Sequence, residues 1–150
     1  MSAATKLLLV EDSKFLRIDG ERALSKAGYT VISASDGEEA LRLANEQHPD
    51  VILLDMLLRK LSGLNVLKAL KLDPETSEIP VIIVSSLSQA NAEKLVAEGA
   101  IAYFEKSALA LDKNSDKLAA TVERVLDQVG HQKEVTNQLH ELATKKSAGC

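Results

Sequence analysis

The feature that most constrains the fold is an alternation of short β-rich runs with longer segments whose apolar residues recur every three or four positions. The runs that predict strands are residues 6–10, 29–34, 51–54, 81–85 and 102–104. Several of these runs are apolar throughout, which is typical of strands covered on both faces of a parallel sheet. The alternation therefore favours an α/β chain in which helices connect parallel strands.

The intervening segments have the spacing of amphipathic helices, as Leu64, Leu67 and Leu70 illustrate. These predicted helices cover residues 14–27, 37–47, 63–72 and 88–98. Turn-forming residues, such as Gly28 and Gly99, lie between the segments. Five successive βα units predict a doubly wound, flavodoxin-like fold, which is a five-stranded parallel sheet of order 2-1-3-4-5 with helices on both faces.

Composition excludes several classes of function. The chain has 150 residues, 45% of them apolar, which suits one domain with a substantial core. A net charge of -4 lacks the positive excess that nucleic-acid binding requires, so nucleic acid is not an expected partner. No apolar run approaches a membrane span, and the start MSAATK lacks the apolar core of a signal peptide, which predicts a cytoplasmic location without membrane attachment. The single Cys150 excludes an intrachain disulfide.

Polar residues collect where the predicted strands end. Glu11 and Asp12 follow the first strand, Asp55 the third and Lys106 the fifth, while Ser85 ends the fourth. In doubly wound sheets these carboxyl ends meet at one edge, where ligands bind. Clustered carboxylates repel one another unless a cation neutralises them, and Mg²⁺ prefers such oxygen ligands while leaving room for a phosphate. Taken singly, the acidic pair is as typical of a helix N-cap as of a metal site, and an aspartate at the end of a strand is more often a turn residue than a nucleophile.

Four segments together resemble the response regulator receiver domain, the phosphoacceptor module of two-component signalling. They are "LLLVEDS", "PDVILLDMLLRKLSG", "IPVIIVSS" and "EGAIAYFEKS". The resemblance covers roughly residues 4–128, and we expect a receiver domain over 4–129 followed by a partly helical tail over 130–150. It implies a regulatory phosphoacceptor, rather than an enzyme, that assists its own phosphotransfer and slow autodephosphorylation.

The resemblance also implies roles for individual residues. Asp55 would accept the phosphoryl group, and Asp12, Asp55 and the backbone carbonyl of Leu57 would bind Mg²⁺, with Glu11 reaching the ion through water. Ser85 would hydrogen-bond the phosphoryl oxygens and Lys106 would pair with them. Tyr103 would be the aromatic residue that turns inward when the site is phosphorylated.

The implied partners are proteins. The phosphoryl donor would be a histidine kinase or a histidine phosphotransfer protein, and a downstream protein would bind the surface made by the fourth helix, fifth strand and fifth helix. Homodimerisation through the fourth and fifth helices or through the tail stays open. Val135, Leu139 and Leu142 form a narrow apolar stripe in that tail, too short for a convincing coiled coil. The stripe suits a frayed or self-packed tail, and a dimer or partner contact is the alternative.

The sequence departs from the usual receiver pattern at two positions. Arg59 stands where the family commonly has proline, and Ser107 stands where a proline usually follows the lysine with a cis bond. Because a cis bond before a non-proline residue costs about 2.5 to 4 kcal/mol, we expect a trans peptide between Lys106 and Ser107. Ser115 is a candidate N-cap for a fifth helix. The apolar face of that predicted helix is Leu118, Val122, Val125 and Val129.

Two other classes of function fit these residues less well. A phosphatase of the haloacid-dehalogenase type would also use Asp55 as nucleophile, but it wants a second aspartate where this chain has Leu57. A flavin or nucleotide binder would need a glycine-rich phosphate loop after the first strand, and none is present. No DNA-binding or catalytic output domain follows the receiver in this sequence, which predicts a single-domain regulator or a phosphorelay intermediate. A receiver excised from a larger hybrid kinase or a multidomain regulator is the alternative. Leu57 and Leu87, which flank the predicted phosphoryl pocket, predict a long-lived phosphorylated state.

Overall fold

The computed structural model describes residues 5–55, 58, 61–85, 96–105 and 119–128. Its strands are β1 (Lys6–Val10), β2 (Thr30–Ala34), β3 (Val51–Leu54), β4 (Val81–Ser85) and β5 (Ala102–Glu105). Its complete helices are α1 (Lys14–Lys26), α2 (Gly37–Gln47) and α3 (Gly63–Leu72). The five strands pair in parallel in the order β2-β1-β3-β4-β5, which confirms the predicted fold class.

Each complete helix begins at a residue whose side chain caps it. Ser13, Asp36 and Ser62 accept hydrogen bonds from backbone N–H groups three residues later, at 3.4, 2.9 and 3.3 Å. A short polar side chain at this position satisfies one of the N–H groups that a helix leaves without an intrahelical partner. These caps explain why the helices begin directly after the loops that leave the carboxyl ends of β1, β2 and β3.

The two faces of the sheet are covered by different helices. Leu8 and Val10 of β1 belong to a buried cluster that also contains residues of α2 and α3. Alternate residues of a strand point to opposite faces, so Leu9 points the other way, where Gly20 of α1 lies against it. Gly20 is close enough that an added Cβ would lie 3.0 Å from Leu9 Cδ2. The central strands are therefore covered on both sides, which explains their apolar sequences.

The remaining described residues add two helical segments. Residues 96 and 97 are helical within the predicted fourth helix, and residues 119–128 are helical within the predicted fifth. The sheet and its three complete helices belong to a compact unit that ends at residue 119, whereas residues 120–128 belong to a second unit. The Ser115 cap, the peptide between Lys106 and Ser107 and the tail over 130–150 lie outside the described residues. Within the part of the chain that the structure describes, no helix could cross a membrane.

Candidate metal centre

The sheet itself holds the two central acidic residues. Val10 of β1 and Leu54 of β3 are register partners in neighbouring strands, so the residues that follow them, Glu11 and Asp55, emerge side by side. The ladder of hydrogen bonds continues beyond both strands: Glu11 N–H donates to Ala34 O at 3.0 Å, and Asp55 N–H donates to Val10 O at 3.1 Å. The backbone of both residues is thus fixed by the core of the sheet.

Three carboxylates meet at this edge. One oxygen each from Glu11, Asp12 and Asp55 lies within 4.8 Å of the others. Glu11 and Asp55 are buried, with exposed fractions of 4% and 6%, and Asp12 is half-buried. Negative charges this close, two of them removed from water, oppose one another strongly. A set of carboxylate oxygens is what a small hard cation prefers, so this donor set fits Mg²⁺.

The chain turns sharply between β1 and α1, and Arg17 closes that turn. Ser13 caps the helix, and one helical turn later Arg17 directs its guanidinium back so that Nη1 donates to Glu11 O at 3.0 Å. Arg17 is half-buried, and its guanidinium lies at the peptide that joins Glu11 to Asp12. Sequence reasoning missed this residue, although its place six positions after Glu11 puts it within reach of the strand end once the helix start is known.

The other predicted site residues differ in how the structure places them. Ser85 is the last residue of β4 and the register partner of Glu105, so its backbone lies at the carboxyl edge of the sheet. Tyr103 of β5 is 7% exposed and belongs to the buried cluster that lines the α2 and α3 face. The structure therefore has Tyr103 inside the core. Leu57, Arg59, Leu87 and Lys106 lie outside the described residues.

Comparison with known proteins identifies similar sequences. Residues 7–137 match the family model of the response regulator receiver domain. The polar-differentiation response regulator DivK of Brucella ovis is 39% identical over 101 residues, covering 67% of this chain and 82% of DivK. The probable transcriptional regulator ycf27 of Guillardia theta is 42% identical over 82 residues, covering 55% of this chain and 31% of ycf27. The chain thus spans about a third of the length of the ycf27 proteins that it matches.

Solved structures that are similar to this chain include a chemotaxis protein and a signal receiver domain. The chemotaxis protein CheY4 of Vibrio cholerae superposes with a TM-score of 0.73 at 29% identity, covering 82% of this chain and 99% of CheY4. The signal receiver domain of a LuxO repressor protein from Vibrio parahaemolyticus superposes with a TM-score of 0.74 at 27% identity, covering 88% of this chain and 97% of that domain. Both similarities extend over nearly the whole of the compared domain.

Proposed function

Because the chain belongs to the response regulator receiver domain family of two-component signalling, we propose that Asp55 accepts a phosphoryl group in a Mg²⁺-dependent reaction. The proposed donor is a histidine kinase or a histidine phosphotransfer protein. The observation that carries the proposal is the convergence of Glu11, Asp12 and Asp55 within 4.8 Å at the carboxyl edge of the sheet. Receiver domains bind Mg²⁺ in an acidic pocket of this kind.

The residues proposed to hold the ion are Asp12, Asp55 and the backbone carbonyl of Leu57, with Glu11 acting through water. When bound, Mg²⁺ would offset the repulsion between the Asp55 carboxylate and an incoming anionic phosphoryl group. Asp55 attacks phosphorus as the bond from phosphorus to the donor histidine nitrogen breaks. Because the Asp55 N–H is bonded to Val10, the backbone position from which the attacking carboxylate extends is fixed before the donor arrives.

Two further residues complete the proposed reaction. The Ser85 hydroxyl donates to a phosphoryl oxygen, and the Lys106 ammonium pairs with the transferred group, so that charge on the phosphoryl oxygens is stabilised. The location of Ser85 at the end of β4, next to β3 in the sheet, supports its part in this set. Since Asp55 itself becomes modified, the chain acts as a regulatory acceptor rather than as a turnover enzyme.

The proposed output is a change in a protein-binding surface. Phosphorylation changes the hydrogen bonding of Ser85, and a shift there alters the packing around Tyr103 on the neighbouring strand β5. The proposed target surface includes the fourth helix and β5 of a receiver domain spanning residues 4–129. The tail over 130–150 is proposed as a partly helical segment that either packs on itself or contacts a second copy or a partner. The proposed location is the cytoplasm.

A receiver within a larger regulator is the second candidate, and the similarity to ycf27 favours it, since the chain matches only 31% of that protein. The similarity to DivK covers 82% of that response regulator. Both candidates use the same phosphoacceptor chemistry on Asp55. They differ only in what the phosphorylated receiver controls.

The central test is labelling of Asp55. Purified protein is incubated with radiolabelled phospho-histidine kinases, with and without Mg²⁺, alongside Asp55→Asn and the exposed-site control Asp127→Asn. We expect Mg²⁺-dependent label on the wild type and on Asp127→Asn, and none on Asp55→Asn. Labelling of Asp55→Asn to the wild-type level would show that the acceptor lies elsewhere. Continuous hydrolysis of small phosphate esters would instead support an aspartate-nucleophile phosphatase.

A further inference from the structure

We propose that Arg17 is a positioning residue for the Mg²⁺ site, acting through the peptide that joins Glu11 to Asp12. This inference rests on the proposed function, because it concerns how the metal ligands are held. Arg17 Nη1 donates to Glu11 O at 3.0 Å. That carbonyl belongs to the peptide between two of the three clustered carboxylates, so a bond to it restrains the direction in which both side chains leave the backbone.

The guanidinium is itself held on a rigid element. Arg17 N–H donates to Ser13 O at 2.8 Å in the first turn of α1, and Ser13 Oγ accepts from Leu16 N–H at 3.4 Å. Arg17 is half-buried, which limits the competition of water for its hydrogen bond. Helix α1 and strand β1 are therefore joined by a side chain at the turn that carries the acidic pair.

The opposite side of the same turn is held by the sheet. Glu11 N–H donates to Ala34 O at 3.0 Å, so Glu11 is bonded through its N–H to β2 and through its carbonyl to α1. Asp12 is the next residue and lies beyond the last residue of β1, Val10. The Glu11–Asp12 peptide, which Arg17 holds through its carbonyl oxygen, sets the direction in which the Asp12 side chain leaves the backbone.

Charge and positioning predict opposite effects on metal affinity, which makes the proposal testable. A positive charge beside the carboxylates repels a divalent cation, so a purely electrostatic role predicts that removing the charge strengthens Mg²⁺ binding. A positioning role predicts that removing the side chain weakens binding, since groups that orient metal ligands commonly contribute about 10-fold or more to affinity. Lysine keeps the charge but lacks the planar fork of arginine.

The experiment measures the Mg²⁺ dissociation constant of the unphosphorylated protein by isothermal titration calorimetry. Wild type is compared with Arg17→Gln, Arg17→Lys, Asp12→Asn and the matched control Arg22→Gln, which removes an exposed arginine from the same helix. We expect about 10-fold weaker binding in Arg17→Gln, weaker binding in Arg17→Lys and no change in Arg22→Gln. Thermal denaturation without Mg²⁺ establishes that each variant is folded at the titration temperature.

If Arg17→Gln binds Mg²⁺ as tightly as wild type or more tightly, the inference about Arg17 is wrong. That result leaves the proposed function intact. If Arg17→Gln does not fold, Arg17→Lys decides, and an unchanged dissociation constant in that variant overturns the inference. Failure of the proposed function gives a different result in the same titration. Wild type and Asp12→Asn would then have equally high Mg²⁺ dissociation constants. That result overturns the metal site, and Arg17 as its positioning residue with it.

Discussion

The backbone N–H of Asp55 donates to the carbonyl oxygen of Val10 at 3.1 Å, so the proposed phosphoacceptor is bonded to the strand that leads into the acidic pair. Both strands are buried at this point, with Val10 at 1% and Leu54 at 0% exposure. A close-packed interior resists displacement, so the backbones of Glu11 and Asp55 are held next to each other. The close approach of like charges is unfavourable, and a cation bound among the carboxylates would offset it.

This arrangement predicts that Asp12→Asn stabilises the fold in the absence of Mg²⁺. The substitution removes one of three negative charges within 4.8 Å, and we expect the free energy of unfolding to rise by about 1 to 3 kcal/mol. With millimolar Mg²⁺ the gain should shrink or reverse, since the wild type binds the ion more tightly. Circular dichroism melts in EDTA and in Mg²⁺ measure both effects, with Asp127→Asn as the control. A lower melting temperature of Asp12→Asn in EDTA would contradict this account.

The sheet was predictable from the apolar runs that form its strands, and the acidic cluster was predictable from the residues at which those strands end. The bounds of β1, β3 and β4 agree with the predicted runs, and those of β2 and β5 differ by one residue. Once parallel strands are assigned, their carboxyl ends must share an edge, and this places Glu11 beside Asp55. Bonds across turns were not predictable, because the path of a long side chain such as Arg17 depends on the exact direction in which its helix leaves the strand.

The packing of α2 against the start of α3 could not be predicted from the sequence, because a glycine that follows an aspartate, as Gly37 does, is typical of an ordinary turn. Gly37 begins α2 and is buried, and an added Cβ would lie 2.7 Å from Leu61 O and from Val66 Cγ2. Backbone cannot move aside as a flexible side chain can. Close approach of two chain segments, rather than a turn conformation, therefore requires glycine at this position.

We predict that Gly37→Ala lowers the free energy of unfolding by about 2 kcal/mol or more, because the methyl group must displace the backbone at Leu61. Gly20→Ala is the matched control in another helix, where the nearest atom is the end of the Leu9 side chain at 3.0 Å. Alanine also gains helix propensity there, so Gly20→Ala should stay within about 1 kcal/mol of wild type. Urea denaturation measures both, and equal effects of the two substitutions would count against the close-approach explanation.

Lys71 of α3 connects the loop that follows α3 to the helix through two hydrogen bonds. Its ammonium donates to Ser77 O at 3.1 Å and to Ile79 O at 2.9 Å, and its aliphatic chain lies against Gly99. Burial lowers the pKa of Lys71 below the ordinary value of 10.5, and the nearby Glu78 carboxylate offsets part of this effect. The charged form of Lys71 is therefore less favourable in the folded protein than in the unfolded chain.

This lowered pKa fixes the sign of a pH dependence. Between the folded pKa of Lys71 and 10.5 the unfolded chain binds more protons than the folded protein, so stability rises with pH. The quantity to follow is the free energy of unfolding of wild type minus that of Lys71→Met. We expect this difference to increase from neutral pH toward 10.5. The increase should be at most about 1 kcal/mol, because the Lys71 ammonium is partly solvated. Subtracting the variant cancels the other lysines. Urea titrations that give a constant or falling difference would contradict the prediction.

The lifetime of the phosphorylated state is the last prediction, and it rests on Leu57 and Leu87. These residues stand two positions beyond Asp55 and Ser85, where side chains of receiver domains help to align water for attack on the acyl phosphate. Neither leucine can donate or accept a hydrogen bond, so water should be excluded from the phosphoryl group rather than oriented toward it.

We therefore expect phospho-Asp55 to be long-lived in Mg²⁺, and the double variant Leu57→Asn, Leu87→Glu to lose its label roughly 10- to 1000-fold faster. The range follows from two positioning contacts, each lowering the barrier by about 1 to 2 kcal/mol. Loss of radiolabel from purified phosphoprotein measures the rate, and Leu72→Asn, at an exposed leucine of α3, controls for a general effect of polar substitution. A wild-type half-life of seconds would contradict this prediction, as would an unchanged rate of label loss in the double variant. Either result would show that water reaches the phosphoryl group by a route that these leucines do not block.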